Sequence, residues 1–212
     1  QKEIVLVKVI ADIKICRIFD KICFSMILSD SQILACIKQK SIVISPFDED
    51  SLGSTRYDVH LSPYLAIYKN SELDARVHNE ITHFQIPDEG YLLKPGTLYL
   101  ASTIEYTETH LHVPYLEGKS STGRLGIDIH ATAGKGDVGF CNYWTMEISV
   151  CQPVRVYAGM PIGQLIYHSV EGAVNTDYSK KKSAKYALKN PLPMESMMWK
   201  NFAQSNISKK NK

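Results

Sequence analysis

From residue 42 onward the sequence is cut into short β-prone runs by turn residues, and this punctuation dictates the fold class. Strand composition recurs at residues 42–44, 57–61, 64–68, 81–86, 91–93, 97–102 and 104–106. Breakers such as Ser45-Pro46, Asp88-Glu89-Gly90 and Pro95-Gly96 fall between many of them. The pattern resumes at residues 127–132, 142–151, 154–157 and 164–169. One early exception is helical: Ser29 and Gln32 have capping-box spacing, and Ile33, Leu34, Cys36 and Ile37 give an amphipathic helix behind them. The expectation is an all-β fold with a short N-terminal helix, a barrel or jelly-roll-like sandwich. With 212 residues, 44% of them hydrophobic, the chain suits one domain with appendages.

The densest chemistry lies in residues 117–152, EGKSSTGRLGIDIHATAGKGDVGFCNYWTMEISVCQ. Lys119, Ser120, Ser121, Thr122 and Arg124, with Gly118 and Gly123 among them, place three hydroxyls and two cations within six residues. Such a run can wrap a polyphosphate through N–H groups and charge-assisted hydrogen bonds. It reads equally as a capped helical turn, and the Walker spacing is absent. A glycine-rich turn follows at residues 133–139, AGKGDVG, where backbone can approach a ligand closely. Residues 143–150, YWTMEISV, have strand composition and carry Glu147 between Met146 and Ile148. Buried, such a carboxylate has a raised pKa and can trade protons near neutral pH. On a solvent-facing strand it would be an ordinary surface charge.

Taken in order and spacing, KSSTGRLG, HATAG, GDVGF, TMEIS and AGMPIGQL (residues 158–165) resemble the dCTP deaminase family, which belongs with the trimeric dUTPases. The similarity runs from MILSD (residues 26–30) to the region around Tyr186. It implies the distorted jelly roll, or β-barrel, of the dUTPase-like type. It also implies dCTP as substrate and a homotrimer whose sites are completed by adjacent subunits.

Deamination of cytosine needs a water to attack C4 and ammonia to leave. Zinc-dependent deaminases activate that water with a His- and Cys-bound metal, but the H-x-E…P-C-x-x-C pattern is missing here. The seven histidines show no partner cysteines at ligand spacing. A metal-free site must form its nucleophile by general base catalysis. By resemblance, Glu147 matches the catalytic base, Ser120 the serine that helps hold the water, and Arg124 the arginine beside it. The Ala133 carbonyl would orient the water or the amino group. Lys119, Ser121, Thr122 and Gly123 complete the phosphate-proximal turn, Asp137 lies near the sugar, and Lys185 reaches the triphosphate. Tyr178 lines the nucleotide pocket, and Thr145 and Met146, just before Glu147, are expected to bind substrate with it. Lys189 stands where the family commonly has glutamine, and Lys119 where it often has arginine. Magnesium is expected as the triphosphate's counter-ion, without a part in the chemistry, and zinc is not expected.

Three functions follow: a deaminase releasing dUTP, an enzyme of the same fold that hydrolyses dUTP or performs both steps to dUMP and diphosphate, and a silent nucleotide sensor. Glu147 argues against a pure dUTPase, and the intact Ser120, Arg124 and Glu147 argue against a sensor. The headline expectation is dCTP conversion to dUTP, with dUMP as the alternative. Gly123 and Gly134 resemble the two-step members, on the reading that glycine at 134 leaves room near the base and sugar. The competing reading is that Gly134 only serves the tight turn. His130 and Trp144 are read as core residues.

The remainder is less informative. Residues 1–25 are apolar but interrupted by charge, lack a membrane-length span, and form an extension with no assigned function, either an upstream-start artefact or an atypical helix or strand. The domain is expected over residues 26–202, with 173–202 closing the site and 203–212 a polar tail. A net charge of +2 gives no reason to expect a nucleic-acid or membrane partner. Five cysteines without a CxxC pair suggest reduced thiols in a cytoplasm.

Overall fold

A computed structural model describes residues 26–130 and 133–202. The extension 1–25, with Cys16 and Cys23, and the tail 203–212 lie outside the described residues, as do Ala131 and Thr132.

The first element of the described residues is helix α1 (Asp30–Lys38). Ser29 caps it, its hydroxyl accepting from the Gln32 N–H at 3.4 Å, and Asp30 and Lys38 sit at the ends that favour their charges. Ile33 and Cys36 are buried, whereas Leu34, expected on the same face, is exposed. Eleven strands follow: β1 (Ile42–Ser45), β2 (Leu52–Gly53), β3 (Arg56–Tyr68), β4 (Ile81–Gln85), β5 (Tyr91–Leu93), β6 (Tyr99–Thr109), β7 (Val113–Gly118), β8 (Ile127–Ile129), β9 (Cys141–Val150), β10 (Val154–Val156) and β11 (Pro161–His168). A five-residue helix α2 (Ser120–Arg124) lies between β7 and β8.

The main sheet runs β7-β11-β3-β6-β9-β8, with β1 added on β6 and β2 and β4 on β3, while β10 and β5 form a separate ladder. Every strand pairing among the described residues is antiparallel. The path curls until its two ends nearly meet: a Cβ on Gly118 of β7 would lie 3.7 Å from Ile129 Cγ1 of β8. The all-β expectation, with one short N-terminal helix, is what the chain adopts. Inside the roll pack Tyr57, Val59, Leu61, Leu65, Met146, Ile148, Ile162, Leu165 and Tyr167, all fully buried. Each such side chain contributes about 1.5–3 kcal/mol.

Three local expectations are corrected. The runs at 57–61 and 64–68 are one strand, β3, whose pairing with β6 shifts register between Leu61 and Leu65. Pro63 reads as a breaker, yet it sits in this irregularity, where its carbonyl still accepts from Ile86 N–H at 2.8 Å. The runs at 97–102 and 104–106 likewise merge into β6, with a register shift between Ser102 and Tyr106. Strand β7 was not anticipated; Pro114 lies within it, and β7 ends the sheet path, where a missing N–H is tolerated.

The described segment after β11 is largely irregular, with the 3-10 turn Tyr178–Lys180 and helical residues at 199–202. Among the described residues no helix is long and apolar enough to cross a membrane, and Cys36, Cys141 and Cys151 are free thiols.

Candidate active site

Alternation along β9 sends Trp144, Met146, Ile148 and Val150 into the core and leaves Tyr143, Thr145 and Glu147 half-buried on the other face. Glu147 is therefore neither a core carboxylate nor a free surface charge: its side chain is 42% exposed and bonded to His130 through Oε2 and Nδ1. The imidazole is only 4% exposed. Register explains the meeting. Ile129, the last residue of β8, pairs with Ile148, so the next residue lands beside Glu147. His130 has φ 51°, a left-handed turn that ends the strand and swings the ring inward. With the carboxylate ionised, Nδ1–H donates to it, leaving Nε2 a buried acceptor without a hydrogen-bond partner.

Glu147 and His130 form part of the wall of a cavity of about 550 Å³. Asn142, Tyr143 and Thr145 of β9 line it, as do Ala133, Lys135, Gly136 and Asp137 of the glycine-rich loop. Its remaining walls include Leu98, Leu100 and Tyr68, and the C-terminal Tyr178, Tyr186, Met194, Glu195 and Ser196. A pocket of this size with mixed polar and aromatic walls suits a nucleotide-sized ligand.

The loop is held by β7 rather than by the cavity. Leu116 N–H donates to Gly134 O at 2.7 Å, and a Cβ on Gly134 would collide with the Leu116 carbonyl. The space that Gly134 keeps clear is thus filled by β7 main chain, which corrects the reading that this glycine leaves room near the base and sugar. The turn needs glycine here because two backbones touch.

The C-terminal segment is pinned across the sheet. Asn142 does most of this: Nδ2 donates to the carbonyls of Tyr186 (3.0 Å) and Leu188 (2.9 Å), and Oδ1 accepts from Asn190 N–H at 2.9 Å. Ser102 Oγ donates to Pro191 O at 2.7 Å, and Thr145 Oγ1 accepts from Met194 N–H at 3.2 Å. Tyr178 and Tyr186 stabilise the segment internally, their hydroxyls accepting from Tyr186 N–H and Met197 N–H, each at 3.0 Å. Burial pushes the Tyr186 phenol above its ordinary value, so it stays protonated.

Of the residues picked from sequence, Ala133, Asp137, Thr145, Glu147 and Tyr178 line this cavity. Met146 is fully buried on the core side of β9. Lys189 lies with Nζ 4.0 Å above the Tyr106 ring, and Lys185 is half-buried; neither lines the cavity. The cluster Lys119, Ser120, Ser121, Thr122, Gly123 and Arg124 is also elsewhere in the chain, forming the turn of α2. Thr122 is buried, its hydroxyl accepting from Lys119 N–H at 3.1 Å. Lys119 pairs with Asp58, which also meets Arg56 Nε at 3.2 Å. Arg124 folds back, Nη1 donating to Ser120 O at 3.1 Å, while Ser120, Ser121, Gly123 and Arg124 are exposed. His130 is buried and hydrogen-bonded, as a core histidine would be, but sequence reasoning missed that its partner is Glu147 and that it lines the cavity.

The dCTP deaminase-like family matches residues 27–170, most of the described chain. The chain belongs to that family. It is 46% identical over 177 residues to "dCTP deaminase, dUMP-forming" of Clostridium botulinum (strain Alaska E43 / Type E3), covering 84% of this chain and 99% of that one. A relative of the same name from Cytophaga hutchinsonii is 47% identical over 161 residues, covering 76% of this chain and 90% of its own. Among solved structures, 2'-deoxycytidine 5'-triphosphate deaminase from Agrobacterium tumefaciens superposes with a TM-score of 0.55 at 20% identity. That match covers 71% of this chain and half of the Agrobacterium chain, and it shows a shared fold.

The Asn142 clamp yields a direct expectation. Asn142→Ala removes three anchors of the C-terminal segment, each worth about 1 kcal/mol. Limited proteolysis should then cut within residues 186–194 at least ten times faster while the sheet domain survives. An unchanged cleavage rate would show that the segment is held by other contacts.

Proposed function

We propose that this protein deaminates dCTP and hydrolyses the triphosphate in the same site, yielding dUMP, ammonia and diphosphate. The observation that carries the reading is the Glu147 carboxylate, fixed by a buried imidazole on the wall of a nucleotide-sized cavity. The names of the similar relatives favour dUMP over dUTP as the product.

Glu147 takes a proton from water, and the resulting hydroxide adds to C4 of cytosine. The same carboxyl returns protons to the ring and to the departing amino group, so that C–N cleavage releases ammonia and leaves uracil. His130 keeps Oε2 aimed and withholds it from other partners, and its own burial excludes water from that side. The Ala133 carbonyl orients the water or the amino group, and Tyr178 closes over the nucleotide. A second water then attacks the α-phosphate, the bond to the β-phosphate breaks, and diphosphate leaves. Asp137, on the same cavity wall, is the carboxylate proposed to polarise that water. The substrate is the magnesium complex of dCTP, the metal offsetting triphosphate charge.

The α2 cluster fits this scheme through assembly. Ser120 and Arg124 are exposed and lie away from the cavity lining of their own chain. We place them, with Ser121 and the Lys119 ammonium, in the site of an adjacent copy within a homotrimer, where they hold the water and the phosphates, while buried Thr122 fixes the turn. Residues 26–202 are the proposed functional unit and the cytoplasm the proposed compartment.

Two experiments test this reading. In a time course with dCTP and magnesium, ammonia and diphosphate should rise together, with dUMP as the accumulating product. Free dUTP without diphosphate would reduce the activity to deamination alone, and binding without ammonia would make the protein a sensor. Shared sites are tested by mixing: Arg124→Ala and Glu147→Gln proteins, each inactive, should recover part of the activity after joint refolding. No recovery, or a fully active monomer, would contradict the trimer.

A further inference from the structure

We propose that Glu108, His110 and Cys141 form a three-ligand site for zinc-class divalent cations, separate from the cavity. Strands β6 and β9 build it. Glu108 and Cys141 are direct cross-strand partners, and His110 stands just beyond the end of β6. One ligand atom from each of the three lies within 4.8 Å of the others. His110 Nε2 is 2.9 Å from Glu108 Oε2, and the other carboxylate oxygen accepts from Tyr106 OH at 2.9 Å, which steers Oε2 toward the ring. His110 N–H donates to Ser41 O at 3.0 Å, so its backbone is fixed by β1. None of the three residues lines the cavity that holds Glu147.

Donor chemistry selects the ion. A thiolate, an imidazole and a carboxylate together are a borderline set that suits zinc, whereas magnesium and calcium take oxygen ligands. In a tetrahedral zinc site with bonds of about 2.0–2.3 Å, donor atoms stand about 3.3–3.8 Å apart. Zinc replaces the proton shared by His110 and Glu108, and the Cys141 thiol releases its own proton to solvent as the zinc–sulfur bond forms. Three protein ligands leave a fourth position for water. His110 is 45% exposed, which gives the ion access. The bound ion would tie the end of β6 to the start of β9, next to the loop that enters the cavity. Sequence spacing hides the set because Cys141 joins the other two only across the sheet.

The test uses the full chain, stripped with a chelator and titrated with zinc by equilibrium dialysis. Wild-type protein should bind one equivalent more than Cys141→Ser, and His110→Ala and Glu108→Gln should bind that equivalent at least ten times more weakly. Cobalt in place of zinc should give a thiolate charge-transfer band that Cys141→Ser lacks. Because variants can perturb the strand ends, a second measurement uses wild-type protein alone: zinc should slow iodoacetamide alkylation of Cys141 at least tenfold, read by peptide mass mapping, while Cys151 reacts as before. Equal zinc uptake by wild type and Cys141→Ser, or alkylation of Cys141 unaffected by zinc, overturns the proposal.

Discussion

A carboxylate in the middle of a strand is held by a histidine that has almost no contact with solvent, and the candidate site is built around that pair. An imidazole at 4% exposure needs a hydrogen-bond partner, because burying it unpaired would cost several kcal/mol. Glu147 supplies the partner, and in return its rotamer is restricted on a face that would otherwise leave it mobile. The price is Nε2, a buried acceptor without a partner. Such an exception to polar pairing belongs where structure is arranged for chemistry rather than for stability.

Everything around the pair serves to hold β8 and β9 in register and to cover what they expose. The β8–β9 pairing sets His130 beside Glu147, and the β6–β9 ladder sets Glu147 opposite Leu100, an apolar wall of the cavity. The loop at residues 133–139 reaches the cavity only because Gly134 can press against Leu116 of β7. The C-terminal segment, almost devoid of regular structure, is fastened by side chains of the sheet, Asn142 above all. Packing thus fixes the floor, and polar contacts fix the cover. That division suits a site that must open for a nucleotide and then exclude water.

Much of this was legible in the sequence, and the failures have physical causes. Turn residues and β-prone runs located most strands, Ser29 marked the helix start, and the ordered motifs pointed to the family. The strand joining 57–61 to 64–68 and strand β7 were not seen, because a bulge and a terminal strand each tolerate a proline, Pro63 and Pro114. That residues 173–202 close over the site was implied only by the resemblance; their polar composition does not show that Asn142 will bind three of their backbone groups. The burial of His130 was legible, but its partner Glu147 was not, because the register of two strands decides it. The charge of Lys119 was visible, but its pairing with Asp58, 61 residues away, was not. Local signals carry elements; long-range hydrogen bonds carry the site.

The most direct measurement of the central claim is the steady-state turnover and dCTP affinity of Glu147→Gln. Glutamine keeps the shape and can still accept the His130 Nδ1–H, so folding and binding should be retained, with affinity within about threefold of wild type. The base alone is lost, and turnover should fall by about 10²–10⁴-fold. A variant that turns over dCTP at near wild-type rate would remove Glu147 from the mechanism, and with it the account of why this histidine is buried.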